Sequence, residues 1–103
     1  MQVPLQVTFR HLARSEAVET AIRERAAKLE STHPDLVSCR VVVEEERLHQ
    51  RQGRLFGVRI DVHTTGHEFA VTRESHEDVF VAVRDAFEAL RKAIEAVVRG
   101  HRE

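Results

Sequence analysis

Two groups of basic side chains have the type and spacing needed to bind phosphate groups. One group recurs about every one or two helical turns near the C-terminus and comprises Arg84, Arg91, Lys92 and Arg99. The other lies in an earlier helical pattern and comprises Arg23, Arg25 and Lys28. A phosphate backbone needs donors spaced along a surface more than it needs one deep pocket. If both helices cover the same sheet face, we expect their cations to converge on one phosphate-binding surface.

Carboxylates within the same helices support a second interpretation. Glu88 and Glu95 alternate with the cations at helical spacing, and such alternation also keeps a helix soluble while adding small pair energies. Acidic residues on both helices, together with a sheet face of mixed charge, suit a regulatory module that binds a protein partner and touches no RNA. Both interpretations stay open on the residues alone.

The histidines and the cysteine provide little support for an enzyme or a metal site. His63, His67 and His76 are close in sequence, but His63 and His67 flank a turn and point to opposite faces by strand parity. No second cysteine or carboxylate stands at ligand spacing beside them. Cys39 has the inward parity of its strand, which predicts a buried, inert thiol. The sequence also lacks a glycine-rich phosphate loop, so we expect no enzyme, metal or cofactor.

The longest apolar pattern runs from His76 to Arg99 and predicts a helix with one apolar face. Ser75 is the predicted N-cap, and Gly100 is expected to stop the helix. Phe80 and Phe87 lie on the apolar stripe, so we interpret them as core residues and not as base-stacking platforms. The stripe comprises Val79, Phe80, Val83, Ala86, Phe87, Leu90, Ala93, Ile94, Val97 and Val98.

An earlier helix and four strands complete the predicted elements. Ser15 is the expected N-cap of the first helix, which should end at residues 31–33 before Pro34. Its predicted solvent side comprises Glu19, Arg23, Glu24, Lys28 and Glu30. Alternating apolar and polar residues predict strands near residues 3–10, 37–44, 56–63 and 68–72. Residues 45–53 are expected to form a long connection, and residues 64–66 a hairpin turn.

This order predicts an α+β fold, β-α-β-β-β-α. The economical arrangement is a four-stranded mixed sheet with both helices packed on one face, because every strand and helix has one apolar side. The open face should then carry Gln6, Thr8, Arg10, Arg40, Glu44, Arg59, Asp61, His63, Glu68 and Thr72.

Length and charge set the remaining limits. A chain of 103 residues is expected to form a single domain, residues 1–103, around one modest core. The formal net charge is −1, so a polyanion site has to be a local patch. No apolar run approaches the roughly 18 residues of a membrane span, and the first residues lack the pattern of a signal peptide. With a single cysteine, these features favour the cytoplasm.

Both helices resemble those of the ribosome hibernation promoting factors, also called ribosome-associated translation inhibitors or sigma-54 modulation proteins. Residues 76–85, HEDVFVAVRD, are similar to that family's H-E-D-M-Y-x-A-I-D/N pattern. Residues 15–30 resemble its T-x-A-I…R-L-A-K-L-E stretch, and the resemblance covers essentially the whole chain. The chain is similar to a short form, or to the N-terminal domain of longer members. Ala89, Ala96 and Ser31 stand where we expect basic family residues, which thins the basic patch.

The resemblance implies a non-enzymatic factor that binds 16S rRNA in the mRNA and tRNA channel of the small ribosomal subunit. Such factors regulate translation by blocking initiation, and they preserve idle ribosomes during stress and stationary phase. The resemblance implies no membrane or small-molecule partner, and no oligomer is required. Arg25, Lys28 and Lys92 occupy positions where the family has basic residues. Helix geometry adds Arg84, Arg91 and Arg99 to the expected rRNA-binding set, and Arg23 joins it as a member of the basic group on the first helix.

Overall fold

The computed structural model describes residues 1–47 and 54–100, without the side chains of Arg47, Thr72 and Arg73. The chain forms β1 (Gln6–Arg10), α1 (Glu16–Thr32), β2 (Leu36–Arg47), β3 (Arg54–Thr64), β4 (His67–His76) and α2 (Val79–Gly100). The predicted order of elements is confirmed. In the described part of the chain, no helix is both long and apolar enough to cross a membrane.

The four strands form one mixed sheet in the order β1-β2-β3-β4. β1 is parallel to β2, whereas the β2–β3 and β3–β4 pairs are antiparallel. A turn at Thr65 and Gly66 joins β3 to β4, and Gly66 adopts a φ of 91° that glycine accommodates without strain. The predicted hairpin and the α+β fold class are both confirmed.

A single apolar core lies between the sheet and the two helices. Ile22 of α1, Ile60 of β3 and Leu90 of α2 are completely buried in it. Cys39 is also buried, and its burial raises the pKa of the thiol to about 12. The opposite face of the sheet is largely polar, as predicted, and its exposed members include Gln6, Thr8, Arg10, Arg40, Arg59, His63 and Glu68.

The predicted connection at residues 45–53 is wrong at its first three positions. β2 continues to Arg47 and β3 begins at Arg54, with Glu45 paired to Phe56 across the hairpin. Strand formation depends strongly on pairing with neighbours, so a polar run can extend a ladder where its side chains reach solvent. Residues 48–53 lie outside the described part of the chain.

The predicted start of the second helix is also wrong, because β4 extends through Ser75 and His76. The cap of α2 is Asp78 and not Ser75. The Asp78 carboxylate accepts a hydrogen bond from the Phe80 amide at 2.8 Å, and its carbonyl accepts one from the Ala82 amide at 3.0 Å. Pairing of Ser75 with Gly57 across the sheet outweighs its capping preference.

Phe80 and Val98 do not belong to the core, contrary to the prediction. Each is 46% exposed, whereas Phe87 is 5% exposed and confirms its predicted place. Phe80 and Val98 lie near opposite ends of α2, on the same side of the helix because they are five turns apart. The sheet and α1 therefore cover the middle of this helix better than its ends.

The first helix begins as predicted, but one of its carboxylates is not exposed. The Val18 amide donates to the Ser15 hydroxyl at 3.2 Å, which confirms the N-cap, and the helix ends at Thr32. The prediction that Glu19 lies on the solvent side is wrong, since this residue is only 8% exposed. Two arginines, Arg14 and Arg23, compensate its burial by donating to its carboxylate.

Candidate nucleic-acid interface

A cleft between α1 and α2 brings part of the predicted basic set together. We call it the interhelical cleft; its volume is about 170 Å³. Leu29 and Phe87 contribute apolar side chains, and three cations and one carboxylate provide the lining charge. The lining residues are Arg25, Lys28, Leu29, Thr32, His33, Phe87, Glu88 and Arg91.

Three of the seven predicted RNA-binding residues line this cleft: Arg25, Lys28 and Arg91. Lys28 follows Arg25 by three positions, which places both on the α2-facing side of α1, opposite Arg91. Lys92 follows Arg91 on the exposed surface of α2 and is close enough to Glu88 to lower the pKa of that carboxylate. Among the described residues, Arg25, Lys28 and Lys92 have no ion-pair partner within 4.0 Å.

Arg23 does not join these cations. It is two residues from Arg25, a rotation of about 200° around the helix, and so lies on the opposite flank of α1. Its guanidinium donates to Glu19 at 2.8 Å, and Arg14 donates to the same carboxylate. These two arginines hold the pKa of Glu19 below its usual range. Arg23 therefore has a structural partner away from the interhelical cleft.

The other two predicted residues extend the basic surface along α2. Arg84 lies two turns before Arg91, on the same side of the helix, and pairs with Asp85 at 3.2 Å. Arg99 lies two turns after Lys92 and is exposed in the last turn. Neither residue lines the interhelical cleft, but both lie on the helix that forms one of its walls.

Glu88 and Glu95 partly neutralise the cleft through Arg91. The two terminal nitrogens of Arg91 donate separately, one to Glu88 at 2.9 Å and the other to Glu95 at 2.8 Å. These carboxylates raise the pKa of Arg91, and the hydrogen bond from Arg91 is the main cause of the lowered pKa of Glu88. The cleft lining still carries more positive than negative charge.

Thr32 and His33 also line the cleft, although neither is among the predicted binding residues. The His33 Nε2 atom is buried and has no hydrogen-bond partner among the described residues. Spacing could have identified both residues, because Thr32 and His33 follow Lys28 and Leu29 by four positions each. The Thr32 hydroxyl donates to the Lys28 carbonyl at 3.1 Å, which closes the last turn of α1.

The histidines considered for a metal site do not form one in the described part of the chain. No group of three or more potential ligands is present there. His63 lies 3.4 Å from Glu68, while the ring of His67 stacks on Phe69 with centroids 6.1 Å apart. His76 instead accepts a hydrogen bond from the Asp78 amide at 2.9 Å. Each of the three therefore has a local partner of its own.

The open sheet face contains a second depression of about 360 Å³. Its charged lining is balanced, with three arginines and three carboxylates, namely Arg10, Arg40, Arg59, Glu44, Glu46 and Asp61. Arg59 pairs with Asp61 at 3.3 Å, and Arg40 donates to the Gln6 side chain at 3.3 Å. This face lacks the positive excess of the interhelical cleft, so it is the poorer polyanion surface.

Comparison with known proteins identifies the family. No curated protein sequence gives a significant match. A ribosomal subunit interface protein from Coxiella burnetii is 12% identical with a TM-score of 0.79, covering 92% of this chain and 97% of that one. The Protein Y N-terminal domain from Thermus thermophilus is 17% identical with a TM-score of 0.69, covering 94% and 99% respectively. These similarities show the shared fold. The family profile matches residues 5–99, and the chain therefore belongs to the Sigma 54 modulation protein / S30EA ribosomal protein family.

Proposed function

We propose that this protein is a cytoplasmic ribosome hibernation factor that inhibits translation. It binds the small ribosomal subunit and places its α1–α2 face against 16S rRNA in the mRNA and tRNA channel, during stress or stationary phase. The protein acts by occupying this channel and not by catalysis. It works without a cofactor, and each copy binds on its own.

One observation carries this proposal: Arg25, Lys28 and Arg91 line a single cleft in a chain whose formal net charge is −1. A local cationic surface attracts a phosphate backbone even when the whole molecule is nearly neutral. Family membership and the ribosomal subunit interface protein that shares this fold support the ribosome as the source of that backbone.

The test is sedimentation with small ribosomal subunits over a range of salt concentrations. Replacing Lys28, Arg91 and Lys92 by glutamine should release the protein at lower salt. The plot of the logarithm of affinity against the logarithm of salt should become less steep by about one for each phosphate that the protein no longer neutralises. All three residues are at least partly exposed, so the circular dichroism spectrum should stay unchanged.

A matched control removes the same charge from the other side of the molecule. Arg10→Gln, Arg40→Gln and Arg59→Gln together also lower the net charge by three, but they alter only the open sheet face. This control should sediment like the unmodified protein. Equal losses of binding in the two triple variants would reject the α1–α2 face as the ribosomal surface.

The balanced charges of the open sheet face favour a second candidate function, docking of a protein partner without RNA. A protein surface of mixed charge matches such a face better than a polyanion does. A partner retained after nuclease treatment and at high salt, and lost from the Arg10, Arg40 and Arg59 variant, would support this alternative. Loss of every partner after nuclease treatment would favour the RNA-binding function.

A further inference from the structure

We propose that Glu88 is an internal anion that occupies a phosphate-binding position of the interhelical cleft, and that an RNA phosphate binds there by displacing the Glu88 carboxylate from Arg91. This inference rests on the proposed RNA-binding function and assigns one phosphate position within it. It also makes Glu88 a residue that lowers affinity, although it lies among the binding cations.

The hydrogen bonds of Arg91 provide the first step. Its Nη2 atom donates to Glu88 Oε2 at 2.9 Å, and its Nη1 atom donates to Glu95 Oε1 at 2.8 Å. Both terminal nitrogens of the guanidinium are therefore occupied by carboxylates of its own helix. Each of these nitrogens carries a second N–H, but a phosphate that accepts the two N–H groups used in these bonds has to replace at least one of the carboxylates.

The position of Glu88 indicates which carboxylate is displaced. Glu88 lines the interhelical cleft together with Arg25 and Lys28, whereas Glu95 is one turn beyond Arg91 and outside the lining. Arg25 and Lys92 also lower the pKa of Glu88 through their charges, in addition to the stronger effect of Arg91. The Glu88 carboxylate thus lies where the fields of cations from both helices overlap.

The chemistry of this position matches a phosphate group. Carboxylate and phosphodiester oxygens both accept hydrogen bonds from an arginine fork, and each group brings one negative charge for neighbouring cations to neutralise. The side chains of Arg91 and Glu88 are 43% and 49% exposed, so their pair is of the kind that contributes little and is easily exchanged. Without Glu88, the charged lining of the cleft consists of three cations alone.

Comparison of Glu88→Gln with Glu95→Gln tests the proposal. Each variant raises the net charge by one and removes one partner of Arg91, so their long-range effects on RNA are equal. We expect Glu88→Gln to bind a short single-stranded RNA about threefold to tenfold more tightly than the unmodified protein. Glu95→Gln should change affinity by less than about twofold. The difference should persist at high salt, where long-range attraction is screened.

Displacement can also be measured without ribosomes. The ¹³C chemical shift of the Glu88 carboxyl group reports its titration, and its pKa is lowered in the free protein mainly by the hydrogen bond from Arg91. Saturation with the same RNA, or with inorganic phosphate, should raise the pKa of Glu88 towards its usual range because the carboxylate no longer has Arg91 as a partner.

The outcomes separate this proposal from the proposed function. Equal affinities of the two variants, or weaker binding by Glu88→Gln, would overturn the role of Glu88 while leaving ribosome binding intact. Weaker binding would mean that Glu88 positions Arg91 for RNA. If the unmodified protein fails to sediment with ribosomes but RNA still raises the pKa of Glu88, the phosphate position stands and the ribosomal function fails.

Discussion

At the scale of single residues, Glu19 and Glu88 show how surroundings assign different roles to the same side chain. Both accept hydrogen bonds from arginines, which lower the pKa of each carboxyl group. Glu19 is 8% exposed, and its carboxylate forms ion pairs with Arg14 and Arg23 on the flank of α1 away from α2. Glu88 is about half exposed in the interhelical cleft. The first carboxylate therefore supports the fold, whereas the second is accessible to exchange with an external anion.

Replacing Glu19 by glutamine should lower the thermal unfolding midpoint at pH 7. A carboxyl group whose pKa is depressed by folding stabilises the protein above its unfolded pKa, and this contribution disappears as pH falls through the folded value. The difference in midpoint between the unmodified protein and Glu19→Gln should therefore be largest at pH 7 and shrink below about pH 4.5, the usual pKa of a glutamate side chain.

The measurement is thermal unfolding followed by circular dichroism at pH 7 and pH 3. Glu24→Gln is the matched control, because Glu24 is an exposed glutamate of the same helix and should shift the midpoint little at either pH. An equal shift for Glu19→Gln at the two pH values would show that its ion pairs do not stabilise the fold.

At the scale of secondary-structure elements, the junction between β4 and α2 determines where the second helix starts. Ser75 and Asp78 both have side chains that favour a cap. Ser75 is paired with Gly57 in the β3–β4 ladder, which leaves Asp78 to satisfy the first amide groups of α2. The capping preference of a side chain therefore acts only where the backbone is free to begin a helix.

Asp78→Ala should destabilise the protein by about 0.5–2 kcal/mol, the usual effect of removing an N-cap. Its carboxylate accepts from the Phe80 amide at 2.8 Å, and alanine leaves that amide without its partner. Ser75→Ala should change the free energy of unfolding by less than about 0.5 kcal/mol, as expected for an exposed surface substitution. Urea unfolding distinguishes the two, and a larger effect at Ser75 would restore that residue as the cap.

At the scale of the whole molecule, packing of both helices on one sheet face decides which cations act together. Arg25 faces α2 across the interhelical cleft, while Arg23 is on the opposite flank of α1. The two residues are equivalent in charge and nearly so in sequence position. Arg25 and Arg23 lie on different sides of the molecule because the buried face of α1 fixes the rotation of the helix, which turns one flank towards α2 and the other away from it.

Arg25→Gln and Arg23→Gln should therefore differ in ribosome binding. We expect Arg25→Gln to weaken sedimentation with small subunits several-fold and to reduce the salt slope by about one. Arg23→Gln should leave the salt slope unchanged while lowering the thermal midpoint, because it removes a partner of the buried Glu19. Equally reduced salt slopes for the two variants would mean that RNA also contacts the outer flank of α1, and two unchanged slopes would mean that Arg25 does not contact RNA.

Periodicity in the sequence by itself determined the order of the elements, the α+β class and most of the core. Residues such as Ile22, Ile60 and Leu90 have to leave water wherever their elements pack, so their pattern predicts burial directly. The basic residues that line the cleft, Arg25, Lys28 and Arg91, are among the seven predicted from the sequence, but the prediction does not separate them from the four that lie elsewhere.

Only the tertiary structure decided which charges meet and which apolar residues remain exposed. Arg25 and Lys28 of α1 line one cleft with Glu88 and Arg91 of α2, and Phe80 is 46% exposed at one end of α2. These outcomes depend on the relative position of two helices and on how far each covers the other. Local spacing cannot specify them because the partners come from elements distant in the chain.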